Sequence, residues 1–134
     1  MVRYEKYQYK GNIQGANGKW FIRLKASGET YGIAELAEHM ANHSTSFTKG
    51  EMMGILTDMV ACVRELLLDG KKVKIEDLAI FSLGCQSGGA ADPSTVTPAN
   101  VKRVYINARG TGEFQTREIG QKVKLKEQDF YSLG

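Results

Sequence analysis

Residues 48–83 read TKGEMMGILTDMVACVRELLLDGKKVKIEDLAIFSL. The segment opens with a capping-box pattern, in which the Thr48 hydroxyl accepts from the backbone N–H of Glu51 and the Glu51 carboxylate accepts from the N–H of Thr48. Apolar residues then recur every three or four positions, as they do in a helix with one apolar face. These residues are Met52, Leu56, Met59, Val60, Val63, Leu66 and Leu67. Asp69-Gly70 ends the pattern, because glycine readily adopts the left-handed conformation after a helix.

The length of this helix bears on the oligomeric state. Residues 49–69 span about 30 Å at 1.5 Å per residue. A chain of 134 residues is one domain of ordinary size, and it has too little other material to cover such an apolar face. We therefore expect a second copy of the chain to pack across the helix, giving a homodimer.

The remaining segments predict short strands and helices around the long helix. Residues 2–26 predict a β-hairpin with its turn at Asn17-Gly18, followed by a short helix over 31–41. The long helix leads into strands near 72–76 and 79–85. A Gly- and Pro-marked stretch at 86–100 contains no Lys or Arg and predicts a mobile loop or the tip of an arm. A strand over 101–107, a short helix over 113–119 and a last strand near 123–126 complete the chain. The fold class is α+β, with residues 1–30 as a hairpin extension and 31–134 as one compact unit.

Composition excludes several classes of protein. With 42% hydrophobic and 25% charged residues the chain is globular, no stretch reaches the roughly 20 apolar residues of a membrane span, and no signal peptide is visible. Cys62 and Cys85 fit no metal or redox spacing, which indicates reduced thiols and a cytoplasmic protein. The net charge is +3, and residues 101–134 hold the whole excess, with seven Lys/Arg against four Asp/Glu. A basic end of this kind is compatible with a phosphate-bearing partner.

Catalytic and metal-binding motifs are not apparent. The sequence shows no Ser/His/Asp order, phosphate loop or metal cluster, so we expect no enzymatic activity, no cofactor and no small-molecule substrate. His39 and His43 have a four-residue spacing that can hold a metal, but no third ligand accompanies them. We interpret them as a polar helix end and expect no metal site.

The order of elements resembles the HU and integration host factor family of bacterial histone-like nucleoid proteins. The resemblance covers roughly residues 33–120 and is carried by three short matches, at Phe47-Thr48-Lys49, at residues 68–75 (LDGKKVKI) and at residues 78–81 (LAIF). The N-terminal segment, with Lys19-Trp20-Phe21-Ile22, is similar to a longer HU-like branch of Bacteroidetes-type bacteria.

The resemblance implies a dimer that binds duplex DNA through its backbone and bends it, with arms in the minor groove and a wedging proline. Transferred to this chain, the implied DNA-binding residues are Lys102, Arg103, Arg109, Arg117, Lys72, Lys74 and Lys49. Pro93 and Pro98 are the candidates for the wedge. The family's Lys/Arg-rich arm and its Arg-Asn-Pro signature are missing, and the only charge in 86–100 is Asp92.

Two functional hypotheses follow. The first is a histone-like nucleoid protein that binds duplex DNA with little sequence preference. The alternative is an HU-fold dimer that serves as a structural or protein-interaction module and does not bind DNA.

Overall fold

The computed structural model describes residues 1–131, which contain three α-helices and two three-stranded sheets. Along the chain, the elements are β1 (Val2–Gln8), β2 (Trp20–Lys25), α1 (Ile33–Ala41), α2 (Lys49–Leu68), β3 (Val73–Ile75), β4 (Ala79–Ser87), β5 (Val101–Gly110), α3 (Thr116–Lys122) and β6 (Leu125–Glu127). This content confirms the predicted α+β class. None of the helices described in residues 1–131 combines the length and apolar character that a membrane span requires.

The chain forms two compact units. Unit 1 comprises Met1–Thr30 together with the residues from Gly120 onward, and unit 2 comprises Tyr31–Ile119. The sequence predicts 31–134 as a single unit, whereas the structure groups residues 120–131 with the N-terminal hairpin. The reason is a strand pairing between the two ends of the described chain.

Unit 1 is a sheet of order β2-β1-β6. Strands β1 and β2 form the predicted hairpin, and Gly18, with a φ of +85°, donates its N–H to the Tyr9 carbonyl at 2.9 Å. Strand β6 lies parallel to β1 on the other side. The Val2 N–H donates to the Lys124 carbonyl and the Gln128 N–H donates to the Tyr4 carbonyl, both at 2.8 Å. The sequence predicted a last strand here but not its partner.

Unit 2 is built on α2, which begins and ends almost where the sequence predicts. The Thr48 hydroxyl accepts from the Glu51 N–H at 3.1 Å, as expected for an N-cap. The same hydroxyl donates to the Glu51 carboxylate at 3.0 Å, so this carboxylate bonds the Thr48 side chain instead of the predicted Thr48 N–H. Asp69 is the C-cap and Gly70 follows with a φ of +82°.

The apolar face of α2 is only partly covered within one chain. Helix α1 packs against α2, and the sheet β3-β4-β5 contacts it through β3 and β4. Met52 and Leu67 are buried, but Ile55 is 58% exposed and Val60 is 53% exposed. A cavity of about 440 Å³ lies between α2 and the sheet, and Val60 and Phe81 are among its lining residues. One chain therefore leaves much of this apolar surface open to solvent.

Strands β4 and β5 carry an arm of residues 88–100. The Gly88 N–H donates to the Asn100 carbonyl at 2.8 Å, which closes the base of the arm. Two 3₁₀ turns, Pro93–Thr95 and Pro98–Asn100, lie within it. The predicted loop is thus an arm with local structure of its own. Helix α3 begins at Thr116, three residues later than predicted, because a further 3₁₀ turn occupies Gly112–Phe114.

Candidate nucleic-acid interface

The sheet of unit 2 has one apolar and one polar face, as the alternation of its strands dictates. The apolar face carries Phe81, Leu83 and Ile106, which line the cavity against α2. Residues opposite each other in an antiparallel pair point to the same face, so the register assigns the other face directly. That polar face, called here the basic face, consists of Lys72, Lys74, Ile80, Ser82, Gly84, Gln86, Arg103, Tyr105, Asn107 and Arg109.

Three of the predicted DNA-binding residues lie near one another at the end of the basic face that is away from the arm. Lys74 lies opposite Ile80, and Ile80 lies opposite Arg109, so the three residues form one row across the sheet. Lys72 and Arg109 both line an open cleft of about 350 Å³, together with Asn107. Lys74 also pairs with the Glu76 carboxylate at 3.6 Å. The cleft therefore presents two cations beside amide and hydroxyl groups, a donor set suited to phosphate oxygens.

Arg103 lies at the end of the basic face next to the arm. Its Nε donates to the Gln86 side-chain oxygen at 3.2 Å, and its guanidinium lies 5.1 Å from the Tyr105 ring centroid. The Tyr105 ring covers Gly84, since a Cβ added there would lie 2.8 Å from the ring. These contacts fix the direction of the guanidinium, and within the described part of the chain its other N–H groups are available to an acceptor. Arg103 and Arg109 are six positions apart, about 20 Å along a strand.

The other predicted cations lie elsewhere. Lys102 is the extra residue of a β-bulge, because Gln86 pairs with Arg103 while Ser87 pairs with Val101. Its side chain passes beside Gly88 at the base of the arm. Lys49 lies at the start of α2 and pairs with the Glu38 carboxylate at 3.6 Å. Arg117 is exposed on α3. The structure thus places Lys72, Lys74, Arg103 and Arg109 on one face, with the first two near Arg109 and Arg103 at the other end, and does not place Lys49 or Arg117 there.

The charges of the basic face are poorly compensated within the chain. Strands β3, β4 and β5 contain no Asp or Glu, and within residues 1–131 no carboxylate forms an ion pair with Lys72, Arg103 or Arg109. The sheet of unit 1 differs, because its Arg23 and Lys25 both pair with the Glu5 carboxylate. The basic face therefore carries positive charge that a partner can neutralise.

The two candidate wedge prolines each start a 3₁₀ turn of the arm, where the lack of a proline N–H costs nothing. Asp92 caps the first turn by accepting from the Ser94 N–H at 3.0 Å. This hydrogen bond lowers the pKa of the Asp92 carboxyl below its ordinary value. Asp92 is therefore ionised at neutral pH, and the arm presents one negative charge and no cation.

Residues 1–126 match a family model described as HU-HIG, an HU domain fused to a wHTH, Ig or glycine-rich motif. The chain belongs to the HU-HIG family. The resemblance to HU proteins that the sequence indicated is thereby confirmed.

A solved structure shares the HU-HIG chain's fold. It is a crystal structure from Bacteroides vulgatus ATCC 8482 of a protein provisionally described as a bacterial DNA-binding protein. The two superpose with a TM-score of 0.66 at 14% sequence identity, over 94% of this chain. The chain spans about half of that protein, 47% of its length. A search of curated proteins found no match.

Sequence reasoning missed the neutral residues of the HU-HIG chain's basic face. Ser82, Gln86, Tyr105 and Asn107 lie between the cations and include hydrogen-bond donors. The period-two alternation of β4 and β5 was the signal that assigns them to this face. His39 and His43 approach each other with 3.2 Å between their Nε2 atoms. Within residues 1–131, no three or more His, Cys, Asp or Glu side chains form a group that could hold a metal ion.

Proposed function

We propose that this HU-HIG chain is a histone-like nucleoid protein that binds duplex DNA through the phosphate backbone, with little sequence preference. The observation that carries the proposal is the basic face, where Lys72, Arg103 and Arg109 form no ion pair with any carboxylate of residues 1–131. Contacts to phosphate oxygens position a protein on DNA without reading its sequence. The description of the Bacteroides neighbour as a DNA-binding protein supports the same class of partner. The proposed role is non-enzymatic and belongs to the cytoplasmic nucleoid.

The proposal includes a homodimer formed through α2. The open apolar surface around Val60 and the cavity of about 440 Å³ give a second copy a surface to cover. Two copies present two basic faces and two arms, and Pro93 or Pro98 is then the proposed wedge that bends the duplex. Lys102, at the base of each arm, is placed to contact phosphates beside the wedge. Lys49 and Arg117 remain proposed contacts outside the basic face.

One observation favours the alternative, a structural or protein-interaction module. The arm of HU-like proteins holds DNA with cations, whereas this arm carries only the ionised Asp92. A negative charge in the minor groove is repelled by the phosphates on either side. In this alternative function, the arm contacts a protein partner and the cations of the basic face are solvated.

The two functions differ in the salt dependence of DNA binding. We expect the wild-type chain to bind a random duplex of about 30 base pairs at ~50 mM salt, with log affinity falling linearly against log salt. The variant Lys72→Ala/Arg103→Ala/Arg109→Ala removes three of the proposed phosphate contacts. Because each contact contributes about 0.9 to the slope, the slope should flatten by about 2.7 units for each chain that touches DNA. Fluorescence anisotropy on duplexes of different base composition measures both quantities.

A charge-matched control separates the basic face from net charge. Lys10→Ala/Lys19→Ala/Lys124→Ala removes the same three charges from unit 1, where these lysines are exposed. The control should keep most of the wild-type slope and affinity. Equal losses in both variants would show that the three cations of the basic face contribute to DNA binding only through the net charge of the chain. If the wild-type chain binds no duplex at ~50 mM salt, the DNA-binding proposal is wrong and the interaction-module hypothesis replaces it.

A further inference from the structure

Strand β2 is an unprotected edge. Among the strands that the structure describes, it pairs with β1 alone, and its residues are all exposed. Trp20 is 66%, Ile22 56% and Leu24 59% exposed. Natural edge strands are usually blunted by charge, a bulge or short length. The outer strand β5 of unit 2 carries three cations and a bulge, and β3 and β6 have three residues each.

The one charge in the middle of β2 does not protect it. The Arg23 guanidinium pairs with the Glu5 carboxylate and lies 4.8 Å from the Tyr7 ring centroid. Both partners belong to β1, so the side chain is drawn toward the neighbouring strand and away from the free edge. No described residue of unit 1 is buried, and a three-stranded sheet without a buried face is marginal by itself.

The hydrogen bonds of β1 determine which backbone N–H and C=O groups of β2 point to the free edge. Val2 and Tyr4 use their backbone groups to bond the β6 side, so the odd residues of β1 face β2. Their partners in the antiparallel register are the odd residues of β2, such as Phe21 and Arg23. Because bonding direction alternates along a strand, the N–H and C=O groups of Trp20, Ile22 and Leu24 point out to the free edge. The residues with free backbone groups are thus the three that form the apolar row.

The sequence of β2 is self-complementary in one antiparallel register. With Ile22 opposite Ile22 of a second copy, Trp20 lies opposite Leu24, and all apolar side chains of the row share one face. On the other face, Phe21 lies opposite Arg23, so no like charges meet at the centre of the pairing. Centring on Arg23 instead places like charges opposite each other, which is unfavourable. Centring between two residues mixes the apolar row with the charged face.

We propose that β2 pairs with β2 of a second copy of this chain, antiparallel and centred on Ile22. The contact joins two three-stranded sheets into one of six strands through the outward backbone groups of Trp20, Ile22 and Leu24. It makes one apolar row from both copies. Lys19 and Lys25 meet at the ends of the pairing, where the Glu5 carboxylate, 3.4 Å from Lys25, compensates part of the charge. This contact uses unit 1 alone and does not rest on DNA binding.

Thiol cross-linking tests the contact. In a background with both exposed cysteines replaced, Cys62→Ser/Cys85→Ser, Ile22→Cys places two thiols directly opposite each other, with Cα atoms about 5.5 Å apart. A short bifunctional thiol reagent should convert this variant to covalent dimers at least about tenfold faster than Ile13→Cys. Ile13 is the matched control, since it lies in the same unit and is 64% exposed. Equal rates for the two variants would overturn the proposal.

The register has its own test. Trp20→Cys alone should cross-link poorly, because the two thiols lie four residues, or about 13 Å, apart along the strands. A mixture of Trp20→Cys and Leu24→Cys chains should cross-link efficiently between the two variants. Self-cross-linking of Trp20→Cys as fast as the mixture would refute the Ile22 register.

A second measurement needs no cysteine. Trp20 is the single tryptophan, so acrylamide quenching of its fluorescence measures how accessible the indole ring is to solvent. Quenching should fall as the protein concentration rises from about 0.5 to about 50 µM. Ile22→Lys should abolish this dependence and Ile13→Lys should retain it. Quenching that is independent of concentration in the wild-type chain across this range, at the value of Ile22→Lys, would overturn the proposal.

Discussion

Replacing Val60 with aspartate should separate the proposed dimer into monomers. Val60 lies near the middle of α2, lines the cavity against the sheet and is 53% exposed in one chain. If a second copy covers this surface, the exposed half of each Val60 becomes buried. The substitution then removes that burial in both copies and introduces two carboxylates into an apolar contact.

The size of the effect follows from the exposed area. Full burial of a valine side chain contributes about 1.5–3 kcal/mol, so the exposed half contributes about 1 kcal/mol, and about 2 kcal/mol for the symmetric pair. Desolvating a carboxylate without a partner adds further cost. A loss of about 2 kcal/mol already raises the dissociation constant about 30-fold, and the charge raises it further.

Sedimentation equilibrium between about 1 and 50 µM measures the change. Thr57→Asp is the control, since Thr57 is exposed on the same helix and does not line the cavity between α2 and the sheet. We expect Thr57→Asp to remain dimeric and Val60→Asp to sediment as monomers, with a lower and concentration-independent unfolding midpoint. Dimers of equal affinity in both variants would refute the assignment of this surface, and a stably folded wild-type monomer at low micromolar concentration would refute the dimer.

Three further results are expected. Thr48→Ala removes the acceptor for the Glu51 N–H and should lower the free energy of unfolding by about 1 kcal/mol, as measured by urea denaturation, whereas Thr48→Asn should change it little. The Arg23 guanidinium holds the pKa of the Glu5 carboxyl below its ordinary value of 4.5, so this pair stabilises unit 1 above that value and the stabilisation is lost as the pH falls through the lowered pKa. Trp20 fluorescence should follow that acid transition, and Glu5→Gln should weaken its pH dependence; identical profiles would contradict the role of the pair. Proteinase K should cut first within 88–100, because the arm has no apolar core, and a first cut within Lys49–Leu68 would contradict the arm assignment.

Local signals in the sequence were enough to predict most of the secondary structure. The Thr48 N-cap, Gly70 after α2 and the Asn17-Gly18 turn act within a few residues, so the pattern locates them directly. The pairing of β6 with β1 could not be predicted in this way, since it joins residues more than 120 positions apart. The start of α3 was predicted three residues too early because the 3₁₀ turn Gly112–Phe114 shares the composition of a helix start.

The candidate site was predictable in part for the same reason. Strand alternation in β5 assigns Arg103 and Arg109 to one face, and the sequence named both. Placing Lys72 beside Arg109 requires the register of three strands, which depends on tertiary pairing. The bulge that makes Lys102 an extra residue is likewise a property of the paired strands. The resemblance to HU proteins therefore identified the cations but not which of them lie close together.

The parallel pairing of β6 with β1 also determines the order in which the chain can fold. Val2 and Leu125 are partners, so unit 1 has a very high contact order, whereas unit 2 is continuous in sequence. Closing so long a loop in an unfolded chain carries a large entropic cost, and prior collapse of residues 31–119 shortens the loop that remains. During synthesis the ribosome must release residues 125–127 before the sheet of unit 1 can be completed. We therefore expect unit 2 to fold first, while the β1 edge of the hairpin of residues 2–25 stays unpaired until β6 has been synthesised.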